Sequence, residues 1–243
     1  MRSAASLIAP RCSVTPRGAS WLVTLTALLA ASALTGCGGD DKPYEPRGAP
    51  SGVTASLPAV PNVPQKPVKN GDAYTIWGAS YSLRSRVHNS DVSDKPITIE
   101  GYITKTNLGD APECAVHKTG KGDPDDCKPP VPAFWIGDTK DASEKDSIKV
   151  MGWASNFANI YDAIEQYKKD DAEEYKDVRF QVTIPNPIVA AGAKVKVTGN
   201  YGTTYTRHTT GTEADPIMGV LTMDKFEYIE KPAEPGTLPG MKK

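Results

Sequence analysis

Charge of one sign is missing from this 243-residue sequence: 28 basic side chains stand against 29 acidic ones. That balance excludes a histone-like or heavily basic nucleic-acid binder. Catalytic signatures are missing too. There is no Gly-x-Ser-x-Gly elbow, no His-Glu-x-x-His, no Cys-x-x-Cys and no phosphate-cradling glycine loop. Gly78-Ala-Ser-Tyr-Ser82 lacks the elbow's second glycine, and Gly120-Lys-Gly122 runs into Asp123-Pro124-Asp125, which spoils the helix start a dinucleotide fingerprint requires. The expectation is a non-enzyme without a cofactor. The apolar run Trp21 to Leu34, at 14 residues, falls short of the roughly 20 that span a membrane.

Glycine and proline, 21 of each, are plentiful, and they mark tails and loops around one domain. At the N-terminus Arg2, Arg11 and Arg17 precede the apolar run, which ends in Leu34-Thr35-Gly36-Cys37. This pattern resembles a bacterial lipoprotein signal peptide with its lipobox. The resemblance implies cleavage after residue 36 and acylation of Cys37, which ties the chain to a membrane; two or more acyl chains make such anchoring stable. Loss of those three arginines leaves 25 basic against 29 acidic side chains. Gly38 after the cysteine, by likeness to enterobacterial lipoproteins, implies the outer membrane.

Residues 37–72 carry Pro43, Pro46, Pro50, Pro58, Pro61, Pro64 and Pro67 and no apolar periodicity. They read as a tether that would hold a domain roughly 30 to 110 Å from the membrane. Residues 232–243, with Pro232, Pro235 and Pro239, read as a loose tail. The folded part is then 73–231.

Within it, Ile97, Ile99 and Ile103 alternate with Thr98, Glu100, Tyr102 and Thr104, a half-buried strand. Further strands are expected at 133–137, 148–153, 194–198 and 218–229, the last with a bulge near Asp224, and a possible sixth at 178–184. Phe157, Ile160, Tyr161, Ile164 and Tyr167 recur at helical spacing behind Ser155 or Asn156 as N-cap. The acids of 170–177 read as a solvated turn. The order, with Thr98-Ile-Glu-Gly-Tyr-Ile103, Phe134-Trp-Ile-Gly-Asp138, Ile148-Lys-Val-Met-Gly152 and Gly192-Ala-Lys-Val-Lys-Val-Thr-Gly199, resembles an OB-fold, a five-stranded barrel with one amphipathic helix between strands three and four. With 114–135 and 148–157 the run also looks like a group of uncharacterised lipoproteins of myxobacterial type, which implies no activity.

Cys12 leaves with the signal peptide, so Cys114 and Cys127 remain for a disulfide in an oxidising compartment, closing a loop worth roughly 3 kcal/mol. The rival is a zinc site from Cys114, His117 and Cys127. Asp123, Asp125 and Asp126, and separately Asp138, Asp141, Glu144 and Asp146, could offer oxygens to Ca²⁺, but neither run matches an EF-hand, and both read as solvated turns. His88 and His208 read as surface residues.

The OB-fold resemblance names a binding face on strands two and three. With Phe134, Ile136, Ile148 and Val150 inward, Trp135, Lys149, Met151 and Trp153 point outward, under a loop carrying Tyr201, Tyr205, Arg207 and His208. Aromatics beside cations could stack a sugar, a base or a peptide side chain, or the two tryptophans could simply pack beneath loops. Nucleic acid is disfavoured, because residues 108–132, 138–147 and 200–217 each carry more acids than bases. The expected function is a lipid-anchored envelope protein that binds a protein or an envelope component such as a glycan. The alternatives are an extracytoplasmic hydrolase or metal-dependent enzyme built from the acid-rich loops, and a structural subunit of an envelope assembly.

Overall fold

The computed structural model describes residues 66–118, 120–169, 174–205 and 213–241. The signal peptide, Cys37, the tether up to residue 65, Arg207 and His208 lie outside the described residues. The chain enters through a two-residue hairpin, β1 (Lys69–Asn70) and β2 (Ala73–Tyr74), followed by helix α1 (Ile76–Arg84) and a single turn, α2 (Asn89–Val92). The long strand β3 (Lys95–Thr106) leads to β4 (Phe134–Gly137), β5 (Ser147–Met151) and helix α3 (Phe157–Lys169). A small ladder of β6 (Tyr175–Lys176) and β7 (Thr183–Ile184) precedes β8 (Lys194–Gly202). Another, β9 (Thr204–Tyr205) and β10 (Glu213–Ala214), precedes β11 (Val220–Glu230).

The fold is mostly β. Five strands pair in the order β3-β4-β5-β11-β8, and β8 pairs again with β3, so the row closes on itself as a ring. Only β5 with β11 is parallel; the other four ring pairings are antiparallel. The alternation in β3 puts Ile97, Ile99 and Ile103 inside, where they meet Phe134, Ile136, Ile148, Val150, Val195 and Val197. The expected bulge is there: the pairing of β11 with β8 passes from Met223 to Lys225 and skips Asp224. Helix α3, between the third and fourth ring strands, lays Phe157, Ile160 and Ile164 on the core. Its N-cap is Asn156, whose Oδ1 accepts the Asn159 amide at 2.8 Å.

Five expectations are corrected. Residues 178–184 form no continuous strand: Val178 to Phe180 is a turn, and only Thr183–Ile184 pairs. The cause is Asp177, fully buried rather than part of a solvated turn, whose Oδ1 accepts the amides of Arg179 and Phe180 and folds the chain back. The domain begins before residue 73, because Val68 receives the Thr75 amide at 3.0 Å in closing the β1–β2 hairpin. The segment after 231 is not loose: Leu238 is buried in the core, and the Gly236 amide donates to the Ile188 carbonyl at 3.0 Å. Helix α1 was not foreseen. Thr75 caps it through the Gly78 amide, and the carboxylate of Asp138 accepts the Ile76 and Trp77 amides at 2.8 and 3.0 Å. Asp138 is thus a helix anchor rather than a solvated acid or a cation ligand, favoured further by the positive end of the helix dipole.

Candidate functional site

Register builds the site. On the outer face of the ring Lys105 pairs with Trp135, Trp135 with Lys149, and Lys149 with Val220, so one row crosses β3, β4, β5 and β11. The ammonium groups of Lys105 and Lys149 lie 4.9 and 5.2 Å from the centre of the Trp135 ring, within cation–π range. Each cation is also held by an acid. Lys105 meets Glu144 at 2.9 Å, and Lys149 meets Glu213 of β10. The hydrogen bond to Glu144 raises the Lys105 pKa above its usual value. Between the β5 wall and the β9–β10 ladder runs a groove of about 450 Å³ lined by Trp135, Glu144, Lys145, Lys149, Glu213, Ala214, Asp215 and Val220. Alternating cations and carboxylates around an indole can form directional hydrogen bonds and a stacking contact, and they offer no net field to an anion.

The aromatic platform expected from the sequence is only partly assembled. Trp135, Met151 and Tyr205 do come together with Val220 and Ala133, as a second, smaller apolar cluster outside the ring, but Trp135 is just 9% exposed. Trp153 does not face outward. β5 ends at Met151, Gly152 turns the chain at φ 78°, a conformation that glycine adopts without steric cost, and Trp153 enters the main core. There it meets Phe134 edge to face at 6.0 Å. Tyr201 is core as well: its ring is fully buried, its hydroxyl donates to the Met218 carbonyl, and burial pushes its pKa upward. Lys105 and Glu213 were missed, and Glu144 was read only as part of a solvated acid run. The strand expectation stopped at Thr104, one residue short of Lys105, and Glu144 and Glu213 reach the groove only through pairings that sequence spacing does not display.

The long loop between β3 and β4 carries the Cys114–Cys127 disulfide. Both sulfurs are thereby consumed, which removes the zinc site with His117. Among the described residues no group of three or more His, Cys, Asp or Glu could hold a metal ion. Within the loop His117 Nε2 lies 3.6 Å from Asp123 Oδ1, and Asn156 donates to the Lys121 carbonyl at 2.7 Å, fastening the loop to the start of α3. Of the second acid run, Asp146 accepts the Ser143 hydroxyl at 2.6 Å, Asp138 is occupied by the α1 amides and Glu144 by Lys105. His88 is exposed, 3.3 Å from Asp91.

Burial raises the carboxyls of Asp123 and Asp162 above their ordinary 3.8, while the charge of nearby His117 pulls each of them back down. An acid that binds its proton more tightly when folded contributes stability below its unfolded pKa, and that share is lost as pH rises through the folded value. Asp123→Asn removes the titration. Its melting temperature therefore gains on that of the native chain as pH climbs from below 3.8 towards neutrality. Thermal melts of both proteins across that range check this, and a gap independent of pH contradicts it.

Comparisons with known proteins add little. No family model matches the sequence, and no curated protein does. Among solved structures, a putative aspartyl-tRNA synthetase from Leishmania major Friedlin aligns at 14% identity over 72% of this chain and 23% of that one, with a TM-score of 0.29. A likeness of that size carries no argument about fold or function.

Proposed function

We propose that the chain is a lipid-anchored cell-envelope protein whose single domain is an OB-fold acting as a non-catalytic binding module. The carrying observation is the groove beside Trp135, on the outside of the second and third ring strands and walled by the ladder between the fourth and fifth, where OB-folds bind their ligands. The OB-fold reading is supported by the closed strand order, the parallel pairing of the third and fifth ring strands and the helix between the third and fourth. The ligand class favoured is a protein segment or an envelope glycan, because paired lysines and glutamates suit neutral or zwitterionic hydrogen-bonding groups. A nucleic-acid strand needs a continuous positive track, and here the two lysines beside the Trp135 ring, Lys105 and Lys149, are each held by a glutamate. Anchoring is proposed at Cys37, in the outer membrane, from the lipobox resemblance.

Two arms test the reading. Growth with labelled palmitate is expected to label the chain, and Cys37→Ala to abolish the label and release the protein from the membrane fraction. Capture of the mature protein from its own envelope after mild crosslinking is expected to yield a partner that is lost in the Lys149→Glu, Glu213→Lys exchange, which keeps the ion pair while reversing the groove's charges. An unlabelled chain, or partners indifferent to the exchange, contradicts the corresponding half. A second reading, an extracytoplasmic hydrolase, draws on the half-buried Asp123 and Asp162 around His117. It requires hydrolysis of an envelope substrate that Asp123→Asn abolishes.

A further inference from the structure

We infer that the surface around α1 is a membrane-contact face, separate from the groove, that rests on anionic phospholipid headgroups. α1 buries Ile76, Ala79 and Leu83 in the core. Its other side carries Trp77 and Tyr81, four residues apart, with rings stacked at 4.9 Å and 14°, and Tyr81 is 45% exposed. The turn after the helix carries Val87, at 76% the most exposed large apolar side chain among the described residues. The entering strand lies along the same helix: a Cβ on Gly78 would stand 2.0 Å from the Val68 carbonyl oxygen, so only glycine admits this approach. Val68, itself 38% exposed, is thereby brought beside α1 together with its neighbours Lys66 and Lys69.

Charge identifies the occupant. From Lys66 to Asp91 there are four basic residues, Lys66, Lys69, Arg84 and Arg86, against Asp72, held by Lys196 at 3.4 Å, and Asp91, 3.3 Å from His88. Arg84 and Arg86 are both exposed, and neither forms an ion pair among the described residues. The mature chain as a whole leans acidic, so this is a local reversal of sign. Aromatic rings with polar rims favour the membrane–water interface, and lysine and arginine favour the phosphates just outside it.

The position of the patch points the same way. The chain outside the described residues joins at Lys66, 29 residues after Cys37, so this face lies where the connection to the membrane begins. The inference rests on the lipid-anchor reading for its biological setting. Attachment at Cys37 would make contact with the bilayer intramolecular, so weak intrinsic affinity is enough for the face to engage.

The test uses the unlipidated chain from Gly38 onward, which contains the whole compact unit, with vesicles of phosphatidylethanolamine and one quarter phosphatidylglycerol. Co-sedimentation with these vesicles is expected, together with its loss in phosphatidylcholine vesicles and in molar salt, where the screening length falls to about 3 Å. Each basic residue near an anionic surface is worth about fivefold in partition, so Arg84→Ala, Arg86→Ala is expected to weaken binding roughly 25-fold. Val87→Ser weakens it less, and melting temperatures shift little, because these side chains are exposed and Arg84 gives up only its bond to the Ser80 carbonyl. No sedimentation of the native chain, equal binding to both vesicle types or indifference to the arginine substitutions overturns the inference. Because no acyl chain is present, the outcome is independent of palmitate labelling at Cys37, so the two readings fail separately.

Discussion

Asp177→Ala is expected to destabilise the domain by about 3 to 5 kcal/mol, although Asp177 ends a run of acids that looks solvated. Its carboxylate is fully buried and accepts four hydrogen bonds: Ser155 amide at 2.7 Å, Ser155 hydroxyl at 2.8 Å, Arg179 amide at 2.9 Å and Phe180 amide at 2.7 Å. Bonds to a charged acceptor contribute about 1.5 to 3 kcal/mol each, and truncation strands all four donors at once, though not additively. The loss also unfastens two elements, because one oxygen serves the residues before α3 and the other the turn before β7. Asp177→Asn keeps the shape and loses the charge, and should cost about half as much. Glu174→Ala, three positions earlier and exposed, stays within about 0.5 kcal/mol. Urea unfolding of the three variants measures the differences; a change below about 1 kcal/mol for Asp177→Ala contradicts the role.

Trp153→Ala is expected to cost about 3 to 5 kcal/mol, the range for emptying a large aromatic from a core. The indole is fully buried against Phe134, and its Nε1 has no hydrogen-bond partner among the described residues, so its contribution is packing alone. Trp153→Phe, which retains the edge-to-face contact, should cost less. Trp135→Ala should fall below Trp153→Ala, because Trp135 belongs to the small outer cluster and its loss leaves the main core intact. Calorimetric melts separate the two. A double tryptophan variant would therefore confuse unfolding with loss of a binding face, and charge exchange in the groove is the sounder probe.

The legible parts of the fold were those with strict periodicity. The two-residue alternation of Ile97, Ile99 and Ile103 and of Val195 and Val197, and the helical recurrence from Phe157 to Ile164, each reflect one face packed on one core. The bulge at Asp224 was legible because alternation fails there. Helix α1 was not, because Gly78, Ser80 and Ser82 fill its buried side along with Ile76 and Leu83, which blunts the apolar stripe. Its anchor, Asp138, lies more than sixty residues away. Outward orientation of Trp153 followed from continuing the strand period past its end, and one glycine with positive φ cancels that logic. At the groove, Trp135 and Lys149 were legible from alternation, whereas Glu144 and Glu213 arrive through loop and ladder geometry.

The most direct test of the binding reading is a photo-crosslinking amino acid placed at Ala214, on the groove wall, in the native envelope, with a control at Val178, exposed outside the groove. The proposed function predicts a discrete adduct from position 214 and none from position 178. No adduct at 214, or the same adducts from both positions, would contradict a binding module centred on the Trp135 groove.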